Sequence, residues 1–366
     1  MDTRPFLALF LILLSAGSAG LVGCAHGNTN SPLPATAANF LFVANNNLST
    51  ISMFPLNTTG QASMGNSISS GACMGPRYLE LHPAKPLLFL SCQNSNSLVA
   101  LSVDTASGAL SLAAGPVATG TQPITVAVHP NGNFVYVSNL SSNTVSAFAL
   151  GMDGSLTQIT GSPFATGTTP YWVEISASGN FIYVANRDSN NVSAFRVDPV
   201  SGVLTQIAGS PFATDKGPRA VALSGKFAFV PNRFANNVSA FTVDPASGAL
   251  TPVPGSPFAA GTDPRSATVD ASGQFLYVPN TVSNDISAYS IDQNTGALTP
   301  ISGSPFPGGQ VPLQIEADGG HIYVANSGSN NVLVFSVDGA TGALQMLQTI
   351  STPGSAVSFA IVKSSN

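Results

Sequence analysis

Three arginines recur in nearly the same short motif, and their type and spacing suit binding chemistry. Arg77 and Arg219 end the motif "GPR", and Arg265 ends "DPR". The planar guanidinium group binds a carboxylate or a phosphate through paired N–H donors. If the fold brings the three motifs together, they form an anion site.

Three glutamates recur in one sequence context. Glu80, Glu174 and Glu316 each stand fourth in a short apolar segment, where the related segments carry Ala, Ser or Thr. Positions three and five of these segments are mostly apolar, so we expect the second and fourth positions to face a wet channel. A carboxylate placed there can act as a general base toward water.

Four further residues fall close to these charged positions. Tyr171 and Trp172 precede Glu174, whereas Arg187 and Arg233 directly follow the segments "YVAN" and "FVPN". If each segment is a strand in an antiparallel sheet, all four lie at the same rim as the arginine motifs. Alternatively, the arginines and glutamates pair with one another and only hydrate a narrow channel.

The histidines give no metal-ligand spacing. His82 and His129 stand in "HP" turns, His321 opens an apolar segment, and His26 lies near the N-terminus. The sequence also lacks a nucleotide-binding loop. We therefore expect neither a metal nor another cofactor.

Composition argues against one class of partner. The chain has 366 residues, of which 44% are hydrophobic and 7% are charged, and its formal net charge is -5. This length and apolar content predict a large core in one or two domains. A negative net charge offers no electrostatic basis for binding nucleic acid. We expect a monomer.

The N-terminus resembles a bacterial lipoprotein signal. Arg4 precedes an apolar run, residues 6–14, which is too short to span a bilayer, and small residues then lead to "LVGC". That motif resembles a lipobox, in which Cys24 becomes the lipidated first residue; the alternative is an ordinary secretory signal. We expect a signal peptide over 1–23, a flexible tether over 24–38 and a folded domain over 39–366. The protein is thus predicted to be lipid-anchored in the bacterial cell envelope, either periplasmic or surface-exposed.

Two cysteines remain in the mature chain. Cys73 and Cys92 occupy different places in the repeat described next. An oxidising envelope permits a disulfide between them, and two free buried thiols are the alternative.

Seven related units fill the chain. Each contains a segment of the form "FxYVxN", and successive segments end 46 to 48 residues apart. They end at Asn45, Cys92, Asn139, Asn186, Asn232, Asn280 and Asn326. A period in the forties with several short β-rich runs is typical of propeller blades.

Each unit predicts four strands, of which "YWVEIS", "FIYVAN", "NVSAFRVD" and "VLTQIAGSPF" are one example. The turn between the third and fourth strands, such as "DPVSG", has Asp to bond the backbone and Gly to accept positive φ. Since such a sheet cannot cover both of its faces, the units must pack on one another. We predict an all-β, seven-bladed propeller of four-stranded antiparallel blades.

The two ends of the chain predict how the ring closes. The first unit starts with a second-type strand at Asn39 or Phe40, and "SAVSFAIV" (355–362) is a first-type strand with no successor. We expect this C-terminal strand to join the first blade.

Asparagine recurs four residues after most of the "FxYVxN" segments, as in Asn190 and Asn236. Asn tolerates left-handed backbone and caps turns with its amide. A ligand role would have to explain its presence in blades on opposite sides of the ring. We interpret these residues as structural corners, and the repeated "GSPF" as the exit of the outer strand.

The motifs "GPRYLELHP", "GPRAVAL" and the repeated "YVAN" resemble the seven-bladed lactonase family, which includes 6-phosphogluconolactonase-like and muconate-cyclising enzymes. The chain also resembles surface propellers with YVTN-type repeats. The resemblance covers residues 40–363 and implies that Arg77 and Arg219 are site residues. The family's histidine after "GPR" is replaced by Tyr78 and Ala220, and no Glu follows the strand-end residues.

Two functions fit these features. The first is a non-catalytic, lipid-anchored propeller whose arginine-rich mouth binds a small anion or an envelope protein. The second is a lactone hydrolase or cycloisomerase, in which Arg219 or Arg265 polarises the lactone carbonyl and Glu174 activates water. In either case the predicted ligand-binding residues are Arg77, Glu80, Tyr171, Trp172, Arg187, Arg233 and Glu316.

Overall fold

A computed structural model describes residues 39–57, 59–63, 65–71 and 73–363. The predicted signal peptide, Cys24 and the tether lie outside the described residues. The described chain forms seven antiparallel sheets, which confirms the seven-bladed propeller. A single turn of 3₁₀ helix, Asn46–Leu48, is its only helix, and no described helix has the length and apolar character needed to span a membrane.

The strands are numbered along the chain, and the blades are numbered from the first strand. The innermost strands of blades 1 to 7 are β32 (Ala356–Lys363), β4 (Pro76–Leu81), β8 (Pro123–Val128), β13 (Pro170–Ile175), β18 (Ala222–Ser224), β23 (Thr268–Val269) and β28 (Pro312–Asp318). The second strands are β1 (Asn39–Asn45), β5 (Leu87–Cys92), β9 (Phe134–Asn139), β14 (Phe181–Asn186), β19 (Phe227–Asn232), β24 (Phe275–Asn280) and β29 (His321–Asn326).

The outer half of each blade follows the same order. The third strands are β2 (Thr50–Leu56), β6 (Ser97–Val103), β10 (Thr144–Leu150), β15 (Asn191–Val197), β20 (Asn237–Val243), β25 (Asp285–Ile291) and β30 (Asn331–Val337). The fourth strands are β3 (Asn66–Ser69), β7 (Leu110–Ala118), β11 and β12 (Leu156–Gln158, Phe164–Ala165), β16 and β17 (Leu204–Gln206, Phe212–Ala213), β21 and β22 (Leu250–Pro252, Phe258–Ala259), β26 and β27 (Leu298–Pro300, Phe306–Pro307), and β31 (Leu344–Ser351).

The fourth strand is broken in blades 3 to 6, where the sequence predicts one continuous strand. The break falls at "GSPF", whose Ser–Pro peptide bond is cis. There the serine hydroxyl takes the place of a backbone acceptor: Ser162 Oγ accepts from Ala147 N at 2.9 Å, and Ser210 Oγ accepts from Ala194 N at 2.9 Å. The third strand therefore keeps its hydrogen bond while the outer chain bends.

The core lies between blades. The described apolar residues form seven clusters, and each cluster joins two neighbouring blades. One of them packs Leu41 and Phe359 of blade 1 against Tyr323 and Val334 of blade 7. The ring is therefore closed by the same kind of contact that joins its other blades.

The C-terminal strand completes blade 1, as the sequence predicts. β32 pairs antiparallel with β1 along its length, and it lies between β28 and β4 of the adjacent blades. Ser358 Oγ accepts from Leu79 N at 2.8 Å, so the strand is also bonded to blade 2.

The recurrent asparagines form the corners between the second and third strands. Asn190 and Asn236 have φ of 53° and 56°, in the left-handed region that Asn tolerates. Each also bonds the entry of the next blade: Asn190 Oδ1 accepts from Gly217 N at 2.8 Å, and Asn236 Oδ1 accepts from Asp263 N at 3.0 Å. The corner amides thus position the innermost strand of the following blade.

Blade 2 departs from this pattern. Cys92 stands where the other second strands end in Asn, and it forms a disulfide with Cys73 in the loop that leads into β4. Both cysteines are fully buried. Of the two alternatives left open by the sequence, the structure has the disulfide.

Candidate functional site

One residue of each blade lines the central mouth, and in five of the seven blades the innermost strand bulges there. Pro76 pairs with Cys92 and Tyr78 with Ser91, so Arg77 between them has no partner. Tyr171 is displaced from the ladder in the same way. A bulge of this kind redirects a side chain. The residue after the entry proline is therefore the one aimed at the channel.

The seven equivalent positions together line one cavity, here called the arginine ring. Its members in blades 1 to 7 are Val357, Arg77, Ile124, Tyr171, Arg219, Arg265 and Leu313. Arg219 and Arg265 follow prolines that make isolated bridges to the second strand, so they precede β18 and β23 rather than starting them. The cavity measures about 30 Å³, space for a water or a small anionic group.

Tyr171 holds two of the arginines together. The guanidinium carbon of Arg219 lies 3.2 Å from the centroid of the Tyr171 ring, and Arg77 Nη2 donates to the Tyr171 hydroxyl. Arg219 is 4% exposed, and its Nε has no hydrogen-bond partner among the described residues. A cation stacked on an aromatic face gains electrostatic energy, more so when it is desolvated.

The arginines change the acidity of this tyrosine. Burial alone would raise the pKa of Tyr171, but the charges of Arg219, Arg77 and Arg265 outweigh burial and lower that pKa to about 7. Burial lowers the pKa of Arg219 to about 9, with the neighbouring guanidinium groups acting in the same direction. At neutral pH the arginine is charged and the phenol is close to its titration midpoint.

Arg187 and Arg233 lie at the same end of the blades but outside the cavity lining. Arg187 Nε is 2.7 Å from Asp188 Oδ1, and Arg233 Nε is 2.8 Å from Asp263 Oδ1. Asp263 also accepts from Arg265 Nη2 at 3.0 Å. Asp188 thus neutralises Arg187, whereas the single charge of Asp263 is shared by Arg233 and Arg265. Neither Arg77 nor Arg219 forms an ion pair with a carboxylate among the described residues.

The three glutamates line a second cavity of about 200 Å³ on the axis. Tyr78 and Trp172 border both cavities and pack edge-to-face with ring centroids 5.3 Å apart. Trp172 Nε1 donates to Glu174 Oε2 at 2.9 Å, and Gln314 Nε2 donates to Glu316 Oε1. Two aromatic rings thus separate the arginine ring from the glutamate chamber.

Burial keeps protons on these carboxyl groups. It raises the pKa of Glu174 to about 7 and that of Glu316 to about 8, the latter with a further contribution from the charge of Glu174. Burial, together with Glu316 and Glu174, also raises the pKa of Glu80 well above its usual value. Near neutral pH the chamber is therefore only partly ionised.

The structure brings Arg77, Arg219, Arg265, Tyr171 and Trp172 together and places the glutamates in a separate chamber. No ion pair in the described part of the chain joins one of these arginines to one of these glutamates. The described channel therefore lacks the arginine–glutamate pairs that the alternative interpretation predicts. Glu174 and Arg219 also line different cavities, so one lactone does not contact both in this arrangement.

Sequence reasoning missed the aliphatic members of the ring. Ile124, Leu313 and Val357 occupy the same position of the repeat as the arginines and line the same cavity. A proline precedes Ile124 and Leu313, as it precedes each arginine, and that signal was available. Sequence reasoning also missed Asp263, because its ion pairs with Arg233 and Arg265 join residues of two blades.

Among the described residues, no group of three or more His, Cys, Asp and Glu side chains is placed to hold a metal ion. His82 Nε2 and His129 Nε2 instead contact the Gly132 and Gly179 carbonyl oxygens of the next blade, at 3.2 and 3.1 Å. These two histidines connect neighbouring blades.

Fold and site together define a seven-bladed propeller with a cationic central mouth. Residues 35–126, 113–216 and 206–311 match the family model described as "Lactonase, 7-bladed beta-propeller". The chain belongs to this family. A comparison with curated proteins finds no match.

Solved structures share the fold. A putative 6-phosphogluconolactonase from Bacteroides uniformis has 24% identity and a TM-score of 0.76, with 89% of this chain and 100% of that chain covered. A periplasmic gluconolactonase from Pseudomonas aeruginosa has 20% identity and a TM-score of 0.76, with 89% and 99% covered. At these identities the likeness establishes the architecture.

Proposed function

We propose that this propeller binds an organic anion, through a carboxylate or phosphate group, in the arginine ring. The observation that carries the proposal is the buried Arg219 with its unpartnered Nε. A buried charged donor without an acceptor is costly, and an anion that accepts from it offsets that cost. Arg77 borders the same cavity and can supply the second half of a paired contact.

The single tryptophan of the chain, Trp172, borders the cavity and reports its occupation. We expect acetate, phosphate or citrate to change Trp172 fluorescence saturably, and Arg77→Gln to weaken binding at least about tenfold. Arg196→Gln is the matched control, because Arg196 lies exposed over Phe181, with its guanidinium carbon 4.8 Å from the ring centroid. Equal affinity in both variants, or no saturable binding, would contradict the proposal.

Lactone hydrolysis is the second candidate, supported by the family and by the lowered pKa of Tyr171. In this reaction the Tyr171 phenolate takes a proton from water as the water oxygen bonds to the lactone carbonyl carbon. Arg219 and Arg77 stabilise the oxyanion, the ring C–O bond breaks, and the tyrosine returns the proton to the leaving oxygen. The product is a hydroxy acid, whose carboxyl group releases its proton to solvent and remains as a carboxylate among the arginines.

The test is proton release from δ-lactones in a pH-stat. We expect Tyr171→Phe to abolish turnover while acetate binding persists. Tyr289→Phe is the control, since Tyr289 lies on the third strand of blade 6 and donates to Ala259 O. Turnover that survives in Tyr171→Phe would rule out this mechanism, and anion binding without turnover would leave binding as the function.

We also propose export and lipidation at Cys24, which lies outside the described residues. The "LVGC" motif supports this, and the buried Cys73–Cys92 disulfide suits an oxidising compartment. Expressed in a bacterial host, the protein should incorporate labelled palmitate and fractionate with membranes, and Cys24→Ser should lose both. Unchanged labelling in Cys24→Ser would contradict lipidation there.

A further inference from the structure

The rim around the arginine ring carries exposed apolar side chains. Five large hydrophobic residues with exposed fractions between 36% and 61% lie at this end of the blades: Leu48, Met74, Phe234, Val282 and Val311. Leu48 ends the 3₁₀ turn after β1, and the other four lie in loops that follow a second strand or lead into an innermost one. Scattered exposed apolar residues need no explanation, but a set gathered at one mouth does.

These residues form an arc over consecutive blades. Phe234 and Val282 belong to blades 5 and 6, Val311 leads into blade 7, Leu48 belongs to blade 1, and Met74 leads into blade 2. At the position of Phe234 and Val282, two residues after the strand-end Asn, blades 3 and 4 have Ser141 and Asp188. The aliphatic members of the ring in blades 7 and 1, Leu313 and Val357, lie below the middle of this apolar arc.

Several arc residues pack closely against the backbone of a neighbouring glycine. Phe234 covers Gly217, where an added Cβ would lie 2.5 Å from the ring, and the Arg233 guanidinium carbon is 5.1 Å from the Phe234 centroid. Val311 lies in the same way over Gly328, and Leu48 over Gly354. The arc is therefore a fixed surface that needs little ordering when a partner binds.

The charges of Arg77 and Arg219 are recessed. The outer arginines Arg187 and Arg233 are paired with aspartates, whereas Arg77 and the buried Arg219 lie inside the ring. The cavity that the arginines line measures about 30 Å³, which matches a single anionic group. A ligand must therefore present a single protruding anion, with its remaining atoms on the rim.

We infer that the partner is the C-terminal end of a protein chain with apolar side chains in its last residues. Its α-carboxylate enters the arginine ring, and the adjoining side chains lie on the apolar arc. Capture of a chain end by paired donors, with pockets or patches for neighbouring side chains, is an established mode of peptide recognition. The inference rests on the proposed anion site and names the class of partner that uses it.

A peptide fits better than a membrane or a fatty acid. A planar anionic bilayer is attracted by charges spread over the outer surface. Of the outer arginines, Arg187 is paired with Asp188, and Arg233 shares Asp263 with Arg265. At the described rim this leaves the exposed Lys216 as the main outer cation, too little charge to hold a bilayer. A hydrocarbon chain needs a continuous apolar groove, whereas the arc residues belong to separate loops of five blades. A peptide carries separate apolar side chains along one backbone, and the arc likewise presents separate apolar side chains on successive blades.

The experiment uses the purified full-length chain in detergent and Trp172 fluorescence. Hexapeptides ending in Leu-Val or Val-Phe are titrated as free acids and as C-terminal amides, with acetate measured in parallel. We expect the free acids to bind at least about tenfold more tightly than their amides and than acetate. Phe234→Ser and Val282→Ser should weaken peptide binding about three- to tenfold and leave acetate binding unchanged; Val200→Ser, at an exposed turn between third and fourth strands, is the control.

The outcomes separate the two proposals. Amides that bind as tightly as acids, or rim variants that leave the peptides unaffected, overturn the chain-end inference even if acetate binds. Binding to phosphatidylglycerol vesicles that depends on Phe234 and Val282, with no peptide binding, overturns it in favour of a membrane. If acetate does not bind to the wild-type protein, that result contradicts the anion site itself.

Discussion

The guanidinium group of Arg219 stacks on the ring of Tyr171, with 3.2 Å between its carbon and the ring centroid. The two residues come from adjacent blades, and each directly follows the proline at which the inner strand enters its blade. The stacking places a fixed positive charge against a phenol whose hydroxyl already accepts from Arg77. The propeller thus uses its symmetry to bring together residues from distant parts of the sequence.

The first prediction concerns the titration of Tyr171. Because the arginine charges lower its pKa to about 7, the phenol should ionise as the pH rises through 7. An ultraviolet difference titration at 295 nm should show one tyrosine ionising near pH 7 and the others well above it. Tyr171→Phe should remove the early step, and its persistence in that variant would assign it elsewhere.

The second prediction concerns the glutamate chamber. The folded-state pKa values of Glu174 and Glu316 are raised to about 7 and about 8, so the folded protein binds protons that the unfolded chain has released. Stability from these groups is present below their unfolded pKa and is lost as the pH rises through about 7 to 8. The protein should therefore be less stable at pH 8.5 than at pH 5.5.

Replacing one of these glutamates by glutamine, whose amide stays neutral, removes its share of that pH dependence. We expect Glu316→Gln to be more stable than the wild type at pH 8.5, by on the order of 1–2 kcal/mol, with a much smaller difference at pH 5.5. Urea unfolding at both pH values measures this. Asp153→Asn, in an exposed turn, is the control, and an equal gain at both pH values would show that charge burial is not the cause.

The third prediction separates the two roles of a corner asparagine. Asn236 adopts φ of 56° and bonds Asp263 N across to the next blade. Asn236→Gly keeps the conformation and loses the bond, at a cost of about 1 kcal/mol. Asn236→Ala loses the bond and also disfavours the left-handed backbone, so it should lower the free energy of unfolding by about 2 kcal/mol. Chemical denaturation ranks the variants, and equal values for Gly and Ala would mean that the left-handed backbone carries no cost.

Much of the fold follows from the sequence because the repeat fixes register. A strand-end residue that recurs every 46 to 48 positions marks the same corner in each blade, so strands, turns and closure follow by comparison among units. The broken fourth strand does not follow. It depends on Ser162 and its equivalents replacing backbone acceptors, a contact that no periodicity reveals.

The site is only half predictable for a related reason. The position after the entry proline could be identified as axial for Arg77, Arg219 and Arg265 from their motif alone. The repeat does not tell how deep a residue lies along the channel axis. The sequence therefore predicts that Glu174 and Arg219 act on one lactone, although Trp172 lies between their cavities. The acidity of Tyr171 likewise arises from charges of other blades, at positions distant in sequence.

The last prediction tests ring closure. In β32, Phe359 and Ala356 pack against blade 7, and Val357, Ala360 and Val362 pack against blade 2. Burying each larger apolar side chain stabilises the fold by about 1.5–3 kcal/mol, so their joint loss approaches the whole stability of a typical domain. Removing residues 356–366 should abolish cooperative unfolding or lower the Tm by more than about 10 °C.

A milder variant keeps the test decisive if the truncated chain fails to fold. Phe359→Ala leaves β32 paired to β1 but creates a cavity at the junction of blades 1 and 7, at a cost of about 3–5 kcal/mol and a Tm lower by roughly 5–10 °C. Removing only residues 364–366, beyond the end of β32, is the control and should leave the melting curve unchanged. Thermal unfolding followed by circular dichroism compares the three variants. A Phe359→Ala curve that matches the wild type would mean that β32 does not close the ring, since a fully buried phenylalanine at a closed junction cannot be removed without loss of packing.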